Sequence, residues 1–251
     1  MAQSSGVVAH VNASMTQNVP ISSALHLAMI LLVLTLIGVT LLLGASARRK
    51  GRTESASKIL GYGVLALWVG YNVYYFTPTV FRWDTSLPLH VCDLLGVIAA
   101  LALIWRNSTA RALLYFCALA LAIQAIITPT GNQSPASLRF WLYWLLHACI
   151  LAASIYDIAI VGFRPQLKDL RTALIADIAY VAVIVPLNIA TGWNYGYLGN
   201  AKPDVATAVD LFGPWPARIV FMLLAVAGIQ LLMYVPWGVR QALLRHPVQG
   251  K

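Results

Sequence analysis

Apolar runs of about 20 residues, each long enough to cross roughly 30 Å of hydrocarbon as a helix, recur along this sequence and leave little else. They fall at residues 23–45, 58–76, 87–105, 111–128, 138–161, 170–191 and 216–239, separated by charged residues or by Gly, Pro and Asn clusters. Within lipid a spanning segment has to satisfy its own backbone N–H and C=O groups, which makes each run a helix rather than a strand. The expected fold is all-α, a bundle of seven transmembrane helices over residues 23–239. A polar segment, 1–22, is expected to be disordered outside the membrane, and a basic tail, 240–251, to lie in the cytoplasm. Hydrophobic residues make up 60% of the 251 and charged residues 10%, against about a quarter charged in soluble domains. That balance excludes a soluble enzyme and leaves no room for a separate soluble domain.

The charge is read as topology rather than as nucleic-acid affinity. Of 17 Lys and Arg, 13 fall on one side of the proposed spans (Arg48, Arg49, Lys50, Arg52, Lys58, Arg106, Arg111, Arg164, Lys168, Arg171, Arg240, Arg245, Lys251) and 4 on the other (Arg82, Arg139, Lys202, Arg218). Positively charged loops stay in the cytoplasm, so the N-terminus is expected outside and the C-terminus inside. Residues 1–22 contain neither Lys nor Arg, whereas a secretory signal needs a basic n-region, so the first run is retained as a helix. Three cysteines are too few for a disulfide framework or a structural zinc site. No metal or cofactor is expected, and no nucleic acid; the oligomeric state is open.

Polar and ionisable residues inside spans are costly in hydrocarbon and therefore mark functional sites by default. They gather towards the side poor in Lys and Arg: His90, Cys92 and Asp93 in the third run, Gln124 and Thr128 in the fourth, Arg139 and His147 in the fifth, and Asn188 in the sixth. Pro88 suits the first turn of a helix beginning at Leu87, which puts His90, Cys92 and Asp93 in its first two turns. His90 and Cys92, two apart, point about 200° apart, whereas His90 and Asp93 share a face and can pair. Any base for Cys92 has to come from another helix. His147 lies nine residues, roughly 13 Å, inside the fifth run and Cys92 five residues, roughly 7 Å, inside the third. They meet only if those helices touch, a point the sequence leaves open. Arg139 is an interfacial anchor, the counter-ion of Asp93, or the binder of an anionic head group. Cys117 and Cys149 read as packing residues. Asp157 and Asp177 fit a proton relay, but placed near the inner ends of their helices they are expected rather to pair with Arg111, Lys168 or Arg171.

A set of short motifs in fixed order carries a family resemblance: Leu-Pro-Leu-His-x-Cys-Asp at 87–93, Thr-Pro at 128–129, Ser-x-Arg-Phe-Trp at 137–141, His147, Pro-x-Asn at 186–188, Asn-Tyr-Gly-Tyr-Leu at 194–198 and Gly-Pro-Trp-Pro at 213–216. Over residues 59–238 the chain resembles the YwaF-like bacterial integral membrane proteins, which are similar to the eukaryotic transmembrane protein 164 group. Those are acyltransferases that move a fatty acyl chain between phospholipids with an active-site cysteine. A more distant likeness is to the androgen-induced membrane hydrolases, which pair a nucleophile with a histidine on another helix. The resemblance implies a multi-pass protein of the bacterial inner membrane, with Cys92 as nucleophile and His147 as base. It implies membrane lipids as partners and a phospholipid or lysophospholipid as substrate. Arg139 would hold the phosphate, and Asn188, Gln124 or Tyr195 would supply the oxyanion donors. Asn194 belongs to the same polar set. His90 beside Cys92 is not explained by this scheme and leaves His90–Asp93 as another working pair.

Two other readings stand beside it. In one, His90, Asp93, Arg139 and His147 line an outward-facing cavity of a small-molecule transporter or receptor. In the other, the polar cluster clasps the bundle and does no chemistry.

Overall fold

The computed structural model describes residues 19–129, 134–200 and 208–245. Residues 1–18, 130–133, 201–207 and 246–251 lie outside it, and with them the segment expected to be disordered at the N-terminus. The described chain is all-helical, with seven long helices. They are α1 (Ala24–Arg49), α2 (Thr53–Tyr75), α3 (Val91–Trp105), α4 (Ser108–Ile127), α5 (Leu138–Val161), α6 (Leu167–Thr191) and α7 (Ala217–Arg245). Five of them, α1, α4, α5, α6 and α7, are long and apolar enough to cross a membrane, and α3 is a shorter apolar helix. α2 carries Glu54 and Lys58 in its first turns, joined by a 2.6 Å ion pair.

Helix directions alternate. His26 at the start of α1 bonds the Ile126 carbonyl at the end of α4 (2.8 Å), and Arg139 at the start of α5 covers the Tyr75 ring at the end of α2. The starts of α3 and α7 and the end of α6 lie at this same end, tied together through the 194–199 segment. The opposite end carries the basic loops, with Arg48 donating to the Ala159 carbonyl and Gln241 to that of Pro165. α5 is the centre of the bundle, with 67% of its apolar stretch buried against 11% for α7 and 17% for α1 and α6. Leu42, Ile59, Ile175 and Leu232 are more than 65% exposed. Apolar surface this extensive is unfit for water and suited to lipid.

Several ends differ from those the apolar runs suggest. α1 and α7 continue past the apolar stretch because Arg48 and Arg49 in the last turn of α1, and Arg240 in α7, are good helix formers and cations favour a helix C-terminus. α3 begins at Val91, not Leu87: His90 is the N-cap with extended backbone, and Leu87–Leu89 forms a tight turn ahead of it. Pro88 is thus three residues before the helix rather than in its first turn. Within α4 the α-helical ladder gives way to a π-helical stretch over Leu114–Ala122, a departure that often accompanies a functional site.

At the basic end, Arg111 Nε donates to both carboxylate oxygens of Asp157 (2.8 and 3.1 Å), and its guanidinium lies 4.7 Å from the Phe163 ring centre. This is one of the pairings expected for Asp157. Asp177 departs from expectation. It sits ten residues, roughly 15 Å, along α6, too far from Arg111, Lys168 and Arg171, and instead accepts a hydrogen bond from Gln230 of α7 (2.7 Å).

α2, α3 and α5 meet closely at Gly96, where an added Cβ would lie 2.5 Å from Cδ1 of Trp68 and 3.3 Å from Cδ1 of Leu146. Gly96→Ala is expected to cost about 1–3 kcal/mol, the usual range for overpacking. It should show as a lower thermal midpoint in detergent; an unchanged midpoint would mean that Trp68 can swing aside.

Candidate functional site

The first turn of α3 is held in place from three sides. Asp93, 4% exposed, accepts the His90 backbone N–H on Oδ2 (3.1 Å) and so satisfies one of the donors that a helix start leaves unpaired. Its carbonyl accepts from Trp68 Nε1 of α2 (2.6 Å). Tyr180 of α6 donates to the Leu89 carbonyl (2.8 Å), and the Tyr195 hydroxyl accepts from the Leu87 N–H (3.1 Å) while donating to the Trp83 carbonyl (2.7 Å). Burial raises the phenol pKa of Tyr195, which keeps its hydroxyl a donor.

The segment 194–199 is fastened in turn to α6. Asn188 and Tyr195 exchange two hydrogen bonds, side chain to backbone, at 2.9 and 3.0 Å, and Asn194 Oδ1 accepts from the Gly199 N–H (2.9 Å). Gly196 has φ +64 and lies so near Tyr180 that a Cβ would come within 2.5 Å of its hydroxyl, two reasons for glycine. Its N–H points at Nδ1 of His90 (3.4 Å), whose ring stands against Tyr195 with 4.9 Å between centres. Asn188→Ala is expected to lower stability by about 1–3 kcal/mol, since it leaves the buried N–H of Tyr195 without a partner and its carbonyl with the Leu198 N–H alone. Unchanged thermal unfolding would show that the segment is held by its other contacts.

The side chains singled out in the sequence therefore divide. His90 and Asp93 do not pair through their side chains: the carboxylate caps the backbone, and the imidazole turns to Gly196. Asn188 is engaged with Tyr195, Tyr195 with Trp83 and Leu87, and Gln124 donates to Thr128 Oγ1 (2.6 Å). One amide N–H of Asn188, one of Gln124 and the hydroxyl proton of Tyr195 are used in these bonds, and each amide keeps a second N–H. No ion pair joins Arg139 to Asp93. Its guanidinium lies 5.5 Å from the Tyr75 ring centre, and its buried Nε lacks a partner.

Cys92 and His147 come from adjoining helices, for α3 packs against α5. Gly96 approaches Leu146 closely, and Cys92 lies four residues before Gly96 while His147 follows Leu146, an offset of roughly 7.5 Å along the bundle. Cys92 is a half-buried free thiol in the first turn. His147 is buried, with its ring 4.3 Å from that of Tyr143 and its Nδ1 on the Tyr143 carbonyl (2.7 Å). A carbonyl takes only a donor, which puts the proton on Nδ1 and leaves Nε2 as the acceptor. Among the described residues no hydrogen bond joins the thiol to the imidazole.

Beside this site, between α3, α4, α6 and α7, lies a cavity of about 140 Å³ with mostly apolar walls, beginning at Val91, Leu94 and Leu95. Trp68, Tyr75 and Tyr180, which frame the site, were not marked by the sequence, because aromatic residues in apolar spans look like ordinary anchors or packing residues. Arg218 was counted there only as a loop charge. It is 3% exposed and donates to the Gly199 carbonyl. Among the described residues no group of three or more His, Cys, Asp or Glu is placed to hold a metal.

Compared with known proteins, residues 21–234 match the model of the TMEM164 family. No curated protein and no solved structure matches the chain.

Proposed function

The chain belongs to the TMEM164 family, and on that premise we propose that it is a phospholipid acyltransferase or lipid hydrolase in which Cys92 is the nucleophile and His147 the base. The observation that supports this reading is the packing of α3 against α5, the helices that carry the free thiol and a buried imidazole with its proton on Nδ1. The thiol proton passes to His147 Nε2 as sulfur attacks the ester carbonyl carbon of a phospholipid. When the tetrahedral intermediate collapses, the ester C–O bond breaks and His147 returns the proton to the leaving oxygen. This releases a lysophospholipid and leaves a thioester on Cys92. The hydroxyl of an acceptor lysophospholipid then gives its proton to His147 while its oxygen attacks the thioester; the C–S bond breaks and the proton returns to sulfur. Water in place of the acceptor makes the same cycle a hydrolysis.

Beside the second amide N–H groups of Asn188 and Gln124, the backbone N–H of Cys92, one of the groups without a helical acceptor at the start of α3, serves this scheme as an oxyanion donor. Arg139, whose Nε has no partner, takes the phosphate in this scheme. The apolar walls of the neighbouring cavity favour a lipid chain over the polar solute a transporter would carry. The excess of Lys and Arg at the opposite end puts the site at the outer leaflet, in keeping with a YwaF-like protein of the bacterial inner membrane.

The test is transfer itself. Purified protein in vesicles holding a phospholipid with a fluorescent acyl chain and an unlabelled lysophospholipid should form a labelled product or release labelled fatty acid. Neither product, across choline, ethanolamine and glycerol head groups, would contradict the reading.

A further inference from the structure

The acyl-transfer scheme gives no part to His90, two residues ahead of Cys92. In the structure His90 is the N-cap of α3, with extended backbone (φ −69, ψ 148), so its side chain does not follow the helical rotation that would turn it away from Cys92. Consecutive Cα atoms lie about 3.8 Å apart, which keeps the two residues within roughly 7 Å of each other. Nδ1 of the ring accepts the Gly196 N–H (3.4 Å), and the ring stands against Tyr195 and Tyr197. A ring nitrogen that accepts carries no proton, and a neutral imidazole then holds its single proton on the other nitrogen, Nε2. A doubly protonated ring would turn an N–H against the N–H of Gly196. His147 is the reverse case, with its proton on Nδ1. Among the described residues Nε2 of His90 meets no acceptor, and it is not one of the buried polar atoms shut away without a partner. The residue is half-buried, so this donor is open to a ligand. Val91, next in sequence, and Gly196, against the ring, both line the apolar cavity, which puts His90 at the rim of the space that favours the acyl chain.

We propose that His90 is a catalytic residue of this site, its Nε2–H donating to the oxyanion that forms on the acyl carbonyl, together with the backbone N–H of Cys92. The proposal rests on the acyl-transfer reading and assigns the histidine that reading leaves idle. As the Cys92 sulfur bonds to the ester carbon, the carbonyl π pair moves onto oxygen and the Nε2–H meets that charge. When the ester C–O bond breaks, the pair returns to the C=O bond. No proton leaves the His90 ring, so proton transfer belongs to His147 alone. The two histidines thus divide the work by tautomer, one held as a donor by Gly196 and the other as an acceptor by the Tyr143 carbonyl. A donor fixed in advance by its neighbours has no reorganisation to undergo as charge develops, and a neutral one avoids placing a cation in an apolar site.

The experiment uses the full chain in vesicles, with initial rates of transfer from a phospholipid bearing a fluorescent acyl chain. His90→Ala should lower kcat by about 10²–10³-fold, the usual effect of removing one oxyanion donor, with KM within a few-fold of the parent. His90→Gln, whose amide N–H reaches nearly as far as Nε2, should keep kcat within about tenfold of the parent. His90→Ser, a favoured N-cap residue too short to reach the carbonyl, replaces the alanine variant if that one does not fold. A parent-like kcat in His90→Ala would overturn the proposal, as would a His90→Gln protein no faster than His90→Ala. Nitrogen NMR of the protein with 15N-labelled histidine gives a readout that needs no turnover: His90 should carry its proton on Nε2 and His147 on Nδ1. A His90 proton on Nδ1 would overturn the proposal even in an active enzyme. A parent that forms neither transfer nor hydrolysis product contradicts the acyl-transfer reading itself, and the proposal falls with it.

Discussion

Cys92→Ala is expected to abolish acyl transfer, by about 10³-fold or more, as removal of a covalent nucleophile does in enzymes that act through a positioned pair. His147→Ala should cost about 10²–10⁴-fold, the range for a general base. The losses should not add, because the thiol and imidazole act as one unit. Cys117→Ser and Cys149→Ser should leave the rate within a few-fold of the parent. The fold should survive Cys92→Ala, because that side chain is half-buried and accepts or donates no hydrogen bond among the described residues, whereas the capping at the start of α3 rests on Asp93 and Trp68. Initial rates in vesicles, with circular dichroism and thermal unfolding on the same preparations, separate loss of chemistry from loss of structure. A Cys92→Ala protein that is folded and still active would remove Cys92 from the mechanism.

Asp157→Ala is expected to be the most destabilising single change at the basic end, by about 3–5 kcal/mol, the range for removing one partner of a buried ion pair. The Asp157 side chain is 3% exposed and that of Arg111 18%, and Arg111 Nε makes both of its bonds to Asp157. Without the carboxylate, the guanidinium keeps the face of Phe163 but loses its charge partner. The double variant Arg111→Met with Asp157→Leu should recover most of the loss, because an apolar pair of similar volume avoids the desolvation of both charges. Thermal and denaturant unfolding in a single detergent measure both. A double variant no more stable than Asp157→Ala would show that the pair is needed for its geometry and not only for mutual neutralisation.

Much of the fold was legible because lipid imposes one rule on every segment. Residues 23–45, 138–161 and 216–239 read as helices on apolar length alone, and α1, α5 and α7 occupy those stretches. Ends were less legible. A run of apolar residues reports the hydrocarbon interval, whereas helix ends depend on caps and on chain direction, which is why Leu87–Leu89 is a turn and Arg240 lies inside α7. Side-chain partners were legible when charge alone selects them, as for Asp157 with Arg111. They were not when geometry selects them. Asp93 meets a backbone N–H rather than the His90 ring, and Asp177 meets Gln230, a neutral residue 53 positions away. The adjacency of α3 and α5, on which the Cys92–His147 pairing depends, follows from the glycine at position 96 and its fit to Trp68 and Leu146, and a single sequence does not reveal which helix a glycine faces.

The most direct test of the account is intact and peptide mass spectrometry of the protein after brief incubation with phospholipid in vesicles and acid quench, comparing the parent with Cys92→Ser and His147→Ala. One acyl chain bound as a hydroxylamine-labile thioester on the Cys92 peptide, absent from Cys92→Ser and formed far more slowly in His147→Ala, is the predicted result. No acyl adduct, or an adduct on Cys117 or Cys149 that is indifferent to both substitutions, would contradict it.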